Sequence, residues 1–172
     1  HPYYVARLFA TLDHLTHGRV GWNVVTYANR HETMQGYDEA SQHDARYDRA
    51  DEFLEVCDKL WQSWESDALI MDREAGIFAD PTMIHRIDHH GRFFRSRGPL
   101  HVTPSPQGRP VIIQAGASGR GRDFAAQHAE VIFAIQPFVE GAAAYYSDVK
   151  GRMANFGRHP NDCKILFGVQ LF

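Results

Sequence analysis

Residues 111–130, VIIQAGASGRGRDFAAQHAE, read as a strand, a glycine-rich turn and a helix. The order then repeats. EVIFAIQ (130–136) is a strand, EGAAAYYSDVKGRMANFG (140–157) a helix and CKILFGV (163–169) a strand. The first of these strands is VIIQA (111–115), and the first helix contains DFAAQHA, with its start expected near Arg122 or Asp123. Short apolar strands alternating with helices imply parallel β/α units.

Upstream, residues 2–17 carry Val5, Leu8, Phe9, Leu12 and Leu15 at the spacing of one apolar helical face. Pro2 suits the first turn and Gly18 the position after the last. RVGWNVVTY (19–27) follows, with Val24 and Val25 in a run that predicts a strand covered on both faces. Residues 28–44 are polar and aperiodic, as expected of a long functional loop. Residues 45–65 predict a strong helix, with Asp44 as N-cap and Tyr47, Ala50, Phe53, Leu54, Cys57, Leu60, Trp61 and Trp64 on its apolar side. Residues 66–110 are irregular, with extended pieces and a SPQGRP turn (105–110).

This gives about four buried strands with helical connections. A closed (β/α)8 barrel needs eight strands and typically ~250 residues. An open doubly wound sheet is complete with four or five, so the pattern alone leaves both architectures open. The chain starts at His1, inside a helical pattern, and stops in the apolar run KILFGVQLF. Those ends favour an incomplete part of a barrel and a piece of a longer protein.

The composition is that of a soluble globular chain. Of 172 residues, 44% are hydrophobic and 23% charged, with a formal charge of −3 that gives no reason to expect nucleic acid or an acidic membrane as partner. No apolar run approaches the ~20 residues of a membrane span. Cys57 and Cys163 form neither a disulfide framework nor a zinc pattern, and a reducing cytoplasm is the expected setting.

Gly116, Gly119 and Gly121 lie in GASGRG with GxxGxG spacing. That is neither the GxGxxG of a dinucleotide fingerprint nor a P-loop. The physical logic of an anion cradle still applies: glycines admit close backbone approach, and the following helix offers free N–H groups and the positive end of its dipole. Ser118 adds a hydroxyl, and Arg120 and Arg122 add charge. A flexible turn with solvated arginines fits the bare pattern equally well. Thr26 falls at a C-terminal strand end, where ligands collect in parallel sheets, and Asn23 lies deeper, where its amide needs buried partners. An Asn and a Thr satisfied by neighbouring backbone is the plainer reading of both. The 11 histidines, including the His89–His90 pair, carry no metal motif, and no metal site is expected. There is no GxSxG elbow, no reactive cysteine context and no acid–base pair, so the catalytic residues stay unknown and a borrowed cofactor is the economical source of chemistry.

Read together, ATLDHLTHGRVGWNVVT (10–26), RYDRADEFLEVCDKLWQSW (46–64) and IDHHGRFFRSRGPLHVTPSPQGRPVIIQAGASGRGRDFAAQHAEVIF (87–133) resemble the bacterial luciferase-like flavin monooxygenases. The closest likeness is to the nitrilotriacetate, dibenzothiophene-sulfone and long-chain alkane monooxygenase branch, across nearly all of residues 1–172. The resemblance implies a TIM barrel of which this chain holds about strands 4 to 7. It implies reduced FMN delivered by a separate NAD(P)H-dependent flavin reductase, reaction with O2 through a C4a-(hydro)peroxyflavin, oxygenation of a small or medium organic substrate, and a homo-oligomer at full length. By position, Asn23 and Thr26 would line the flavin ring, Tyr47 would reach the phosphate, and Gly116, Ala117 and Ser118 would hold it. The loop from Tyr27 to Asp44 would cover the substrate pocket. Tyr27 replaces a small Ser usual in the branch, and His31 is more simply an exposed loop histidine than a flavin contact. A deazaflavin-dependent oxidoreductase of the same superfamily and a non-catalytic flavin-binding piece are the alternatives. Half a barrel exposes strand edges, so the isolated 172 residues are expected to bind FMN poorly and to be inactive.

Overall fold

The computed structural model describes residues 1–26 and 43–169. In chain order these form α1 (Pro2–Thr16), β1 (Gly21–Asn23), α2 (His43–Trp61), β2 (Leu69–Asp72), β3 (Ile77–Ala79), β4 (His89–His90), β5 (Arg95–Ser96), β6 (Val111–Gln114), α3 (Gly119–His128), β7 (Val131–Ala134), α4 (Val139–Met153) and β8 (Lys164–Phe167). The chain divides into two compact units, His1–Val20 with Arg49–Pro110, and Gly21–Asp48 with Val111–Phe172. Among the described residues no helix is long and apolar enough to cross a membrane.

The second unit is built on a four-stranded parallel sheet in the order β1-β6-β7-β8. The two right-hand pairs are joined through α3 and α4, as the β/α pattern predicts. Ile132 and Ala134 of β7 bury against Ala125, Ala126 and Ala129 of α3 and Tyr145, Val149 and Met153 of α4, with Cys163 completing the core. Alanines on α3 leave room for the larger α4 side chains, so both helices reach the same face of the sheet. Arg158 closes the C-terminus of α3, donating to the carbonyls of Ala126 (2.9 Å) and Ala129 (2.8 Å). A cation there also complements the helix dipole.

The first strand departs from expectation. Val24 is buried but Val25 is 68% exposed, so the run is covered on one face only. In register, Trp22 pairs with Ile112 and Asn23 with Ile113, which places Asn23 on the face away from α3 and α4. An unbroken apolar run reads the same whether one face or both are covered, which is why the sequence overstated the burial.

In the first unit, α1 ends as expected, with Pro2 in its first turn and His17 in the left-handed conformation just before Gly18. Its buried face is not the predicted one. Pro2, Ala6, Ala10 and Asp13 are buried, whereas Leu8 is 55% and Leu15 72% exposed. The small residues let α2 come close: the Trp61 indole donates to the Ala6 carbonyl at 2.9 Å, and the Cys57 thiol lies 3.5 Å from the Pro2 carbonyl. Helix α2 starts at His43, which puts Asp44 in its first turn rather than at the N-cap. Trp64 lies beyond the end of the helix and donates to the Leu100 carbonyl at 2.9 Å. The region expected to be irregular holds two antiparallel pairs, β2 with β3 and β4 with β5. Burial pushes both thiols, Cys57 and Cys163, above the usual cysteine range.

Two carboxylates organise this unit, Asp13 fully buried and Glu52 partly buried. Glu52 accepts from the Phe93 and Phe94 N–H groups (2.9 and 2.7 Å) and from His89 Nε2 (3.2 Å). Asp13 accepts from the Gln107 backbone at 2.8 Å and its side-chain amide at 2.6 Å, and that amide also donates to the Val20 carbonyl at 2.9 Å. The SPQGRP turn is thereby pinned to the end of α1. Burial alone would raise the Asp13 pKa, but the Gln107 donors outweigh it and hold the carboxyl below its ordinary range.

A depressed folded-state pKa contributes stability that is complete above the unfolded value of about 3.9 and is lost as pH falls through the folded value. Asp13→Asn turns an amide donor toward Gln107 and should cost about 1–3 kcal/mol at neutral pH. Urea denaturation of the full-length protein checks this: the midpoint difference from wild type is largest above about pH 5 and shrinks below about pH 4.

Candidate functional site

Strand β6 ends at Gln114 and α3 begins at Gly119, three to four residues before the expected start. Ser118 sets that boundary. It has extended backbone (φ −68°, ψ 163°), and its Oγ accepts from the Gly121 N–H at 3.0 Å while its carbonyl accepts from the Arg122 N–H at 2.8 Å. An N-cap of this kind is worth about 1 kcal/mol, enough to offset the poor helix propensity of a glycine in the first turn. Gly119 and Gly121 therefore belong to the helix rather than to a loose turn.

The glycines have distinct duties. A Cβ on Gly116 would lie 2.8–3.0 Å from the backbone of Gly121, so the end of β6 and the first turn of α3 are in direct backbone contact. A Cβ on Gly121 would meet Tyr47 Oη at 2.8 Å, Ser118 Oγ at 3.0 Å and the Gly116 Cα at 3.2 Å. Two hydroxyls from separate elements thus converge on the glycine face of one helical turn. Around Gly119 the corresponding space is open. Tyr47 is buried in α2, tilted against Phe124 at 5.4 Å between ring centres, with the Arg120 guanidinium over its ring at 5.4 Å from the centre.

The charges are shared out behind this turn. Arg120 pairs with Asp48 at 3.3 Å. Arg122 is not a free cation on the loop: its Nε donates to the Ala117 carbonyl (2.9 Å), its Nη1 to Asp148 (2.8 Å), and it stacks over Tyr145 at 5.1 Å. Asp148 also accepts from Arg152, which reaches Asp123 at 2.7 Å. Hydrogen bonds from Arg152 and Arg122 hold the Asp148 carboxyl below its usual range. The Tyr145 hydroxyl donates to the Gly116 carbonyl at 2.8 Å, and burial raises its pKa above the ordinary tyrosine value.

The structure therefore gathers Tyr47, Gly116 and Ser118 in one place, with Ala117 between the last two. Asn23 and Thr26 lie on the neighbouring strand and just beyond it; Asn23 is exposed rather than deep in the sheet, and Thr26 is half-buried. Neither side chain is bonded to the loop among the described residues. Tyr27, His31 and residues 28–42 fall outside the described residues. Sequence reading missed Tyr145 and the bracing by Arg122, because both act on backbone carbonyls distant in sequence or hidden by the turn.

A glycine-lined helix N-terminus at the C-terminal end of a parallel strand defines a class: an α/β protein with an anion-binding carboxyl edge. The family model described as luciferase-like monooxygenase matches residues 1–172, and the chain belongs to that family. It is 53% identical over 169 residues to the dibenzothiophene-sulfone monooxygenase of Rhodococcus erythropolis, covering 98% of this chain and 37% of that relative. It is 50% identical over 172 residues to nitrilotriacetate monooxygenase component A of Aminobacter aminovorans, covering 99% of this chain and 38% of that one. The solved structure of a riboflavin lyase, RcaE, with modified FMN and riboflavin superposes with a TM-score of 0.91 at 42% identity, over 97% of this chain and 38% of the other. The chain spans under two-fifths of the length of these relatives, and its parallel sheet with outer helices is part of a (β/α)8 barrel.

The glycine duties make opposite forecasts. Gly121→Ala must displace Tyr47 or Ser118 and lowers the melting temperature, by about 1–3 kcal/mol in stability. Gly119→Ala, in helical backbone with open space, is neutral or stabilises by about 0.4–1 kcal/mol. Thermal denaturation of the two variants side by side checks both.

Proposed function

We propose that the protein containing these residues binds reduced FMN with its phosphate at the first turn of α3, and uses it with O2 to oxygenate a small or medium organic molecule. The observation that carries this reading is the exposed turn ahead of α3, where the Ala117 and Ser118 N–H groups have no acceptor among the described residues and the Tyr47 and Ser118 hydroxyls lie together against Gly121. The residues present fit a phosphate: two hydroxyls, two exposed backbone N–H groups and the N-terminus of a helix.

In this reading Gly116, Ala117 and Ser118 present backbone N–H groups and the Ser118 hydroxyl to the phosphate, and Tyr47 adds its own hydroxyl. Asn23 and Thr26 face the ring system from the adjacent strand end. The bound group supplies the electrons that activate O2, while the protein's task is to orient it, position the substrate and keep water out. Support for the cofactor comes from the FMN-bearing solved relative, and support for a two-component arrangement from a relative described as component A. A separate NAD(P)H-dependent flavin reductase is the proposed electron donor. Residues 1–172 are proposed as part of one barrel domain.

Anaerobic titration of the full-length protein with dithionite-reduced FMN and reduced riboflavin tests the reading. FMN should bind at least about tenfold more tightly than riboflavin, as charge-assisted hydrogen bonds of about 1.5–3 kcal/mol require. Ser118→Ala should remove about 1–3 kcal/mol of FMN affinity. Equal affinities for the two flavins, or displacement of FMN by a reduced deazaflavin at stoichiometric concentration, contradict the reading.

A further inference from the structure

We propose that Tyr145 and Arg122 are positioning residues for the phosphate site, aiming its backbone N–H groups from behind. The inference rests on the reading of the turn as a phosphate cradle. It concerns residues that do not touch the ligand.

In a trans peptide the carbonyl of one residue and the N–H of the next point in opposite directions. The Gly116–Ala117 and Ala117–Ser118 bonds are both trans, since the cis bond among the described residues is Gly98–Pro99. The Gly116 carbonyl accepts from Tyr145 Oη at 2.8 Å, and the next carbonyl, Ala117, accepts from Arg122 Nε at 2.9 Å. Arg122 lies over the Tyr145 ring, 5.1 Å from its centre, so both carbonyls are drawn to the same side of the turn. The N–H groups of Ala117 and Ser118 are thereby turned to the other side. Neither has an acceptor among the described residues, and both residues are exposed.

The brace is itself held. Tyr145 is 3% exposed and sits in the α3–α4 core, so its hydroxyl cannot swing away. Arg122 is fixed by Asp148 at 2.8 Å, and Asp148 is fixed in turn by Arg152 at 2.8 Å. Arg152 also reaches Asp123 within α3. Two adjacent N–H donors set in advance cost no reorganisation when a phosphate arrives, and the geometry favours a dianion over a neutral group. Without the Tyr145 hydroxyl the Gly116 peptide is free to rotate, and its carbonyl oxygen can turn toward the ligand and repel it.

The test compares reduced FMN with reduced riboflavin, which differ by the phosphate, in the full-length protein under anaerobic conditions. Tyr145→Phe keeps the buried ring and removes only the hydroxyl. Arg122→Lys keeps the charge but loses the planar fork that serves Ala117 and Asp148 together. Tyr146→Phe, on the exposed neighbour, is the control. Both test variants should lose about fivefold in FMN affinity, with riboflavin affinity within about twofold of wild type and the control unchanged, as the loss of one hydrogen bond predicts. If Tyr145→Phe does not fold, Arg122→Lys carries the test alone. A wild-type preference for FMN that survives in both folded variants overturns the positioning role, as does an equal loss for FMN and riboflavin, which marks a general structural effect. If the wild type shows no preference for FMN, the cradle reading itself fails and takes this inference with it.

Discussion

The backbone contact between Gly116 and Gly121 is the constraint on which the site depends. One glycine lies in the loop after a parallel strand, the other in the first turn of the following helix, and a Cβ on either would fall 2.8 Å from its nearest neighbour. That contact brings the strand end against the helix N-terminus, places the Ser118 cap on the Gly121 N–H, and leaves the Tyr47 hydroxyl facing bare backbone. Close approach of this kind is the use of glycine that justifies its entropic cost in a helix. The GxxGxG spacing is thus a packing requirement.

Around this contact the second unit divides its labour. The sheet and the alanine face of α3 supply a rigid floor, α4 supplies Tyr145 and Asp148, and the loop is left with its carbonyls engaged and its N–H groups available. The acidic groups serve the arginines. Asp148 holds Arg122 and Arg152, and Asp123 holds Arg152, so positive charge near the turn is fixed behind the backbone. In the first unit the carboxylates of Asp13 and Glu52 do similar work on turns of the chain, each accepting backbone N–H groups that the fold would otherwise leave unpaired.

Much of this was legible in the sequence. The three strands and two helices from 111 to 169 were readable because a parallel sheet's strands are continuous apolar runs, and the helices between them carry the 3.6-residue period. The face of α1 was misread for a physical reason: Ala6 and Ala10 score weakly in any apolar count, yet small residues are what Trp61 needs in order to reach a backbone carbonyl. The two hairpins between residues 69 and 96 gave no alternation to find, since most of their residues are exposed on both faces. At the site, Tyr47, Gly116 and Ser118 were singled out and fall together. Tyr145 was hidden because AAAYY reads as helix core, and its ring does sit there; only the hydroxyl, bonded to a carbonyl 29 residues away, has the other role. Arg122 looked like a loop cation because sequence cannot show that its charge is already spent on Asp148.

The most direct measurement is a crystal structure of the full-length protein soaked anaerobically with FMN. The phosphate is expected within hydrogen-bonding distance, about 2.7–3.2 Å, of the Ala117 and Ser118 N–H groups, with the Tyr47 and Ser118 hydroxyls on it and the Tyr145 hydroxyl still on the Gly116 carbonyl. A phosphate bound elsewhere on the protein, or a flavin whose phosphate stays in solvent, would contradict it.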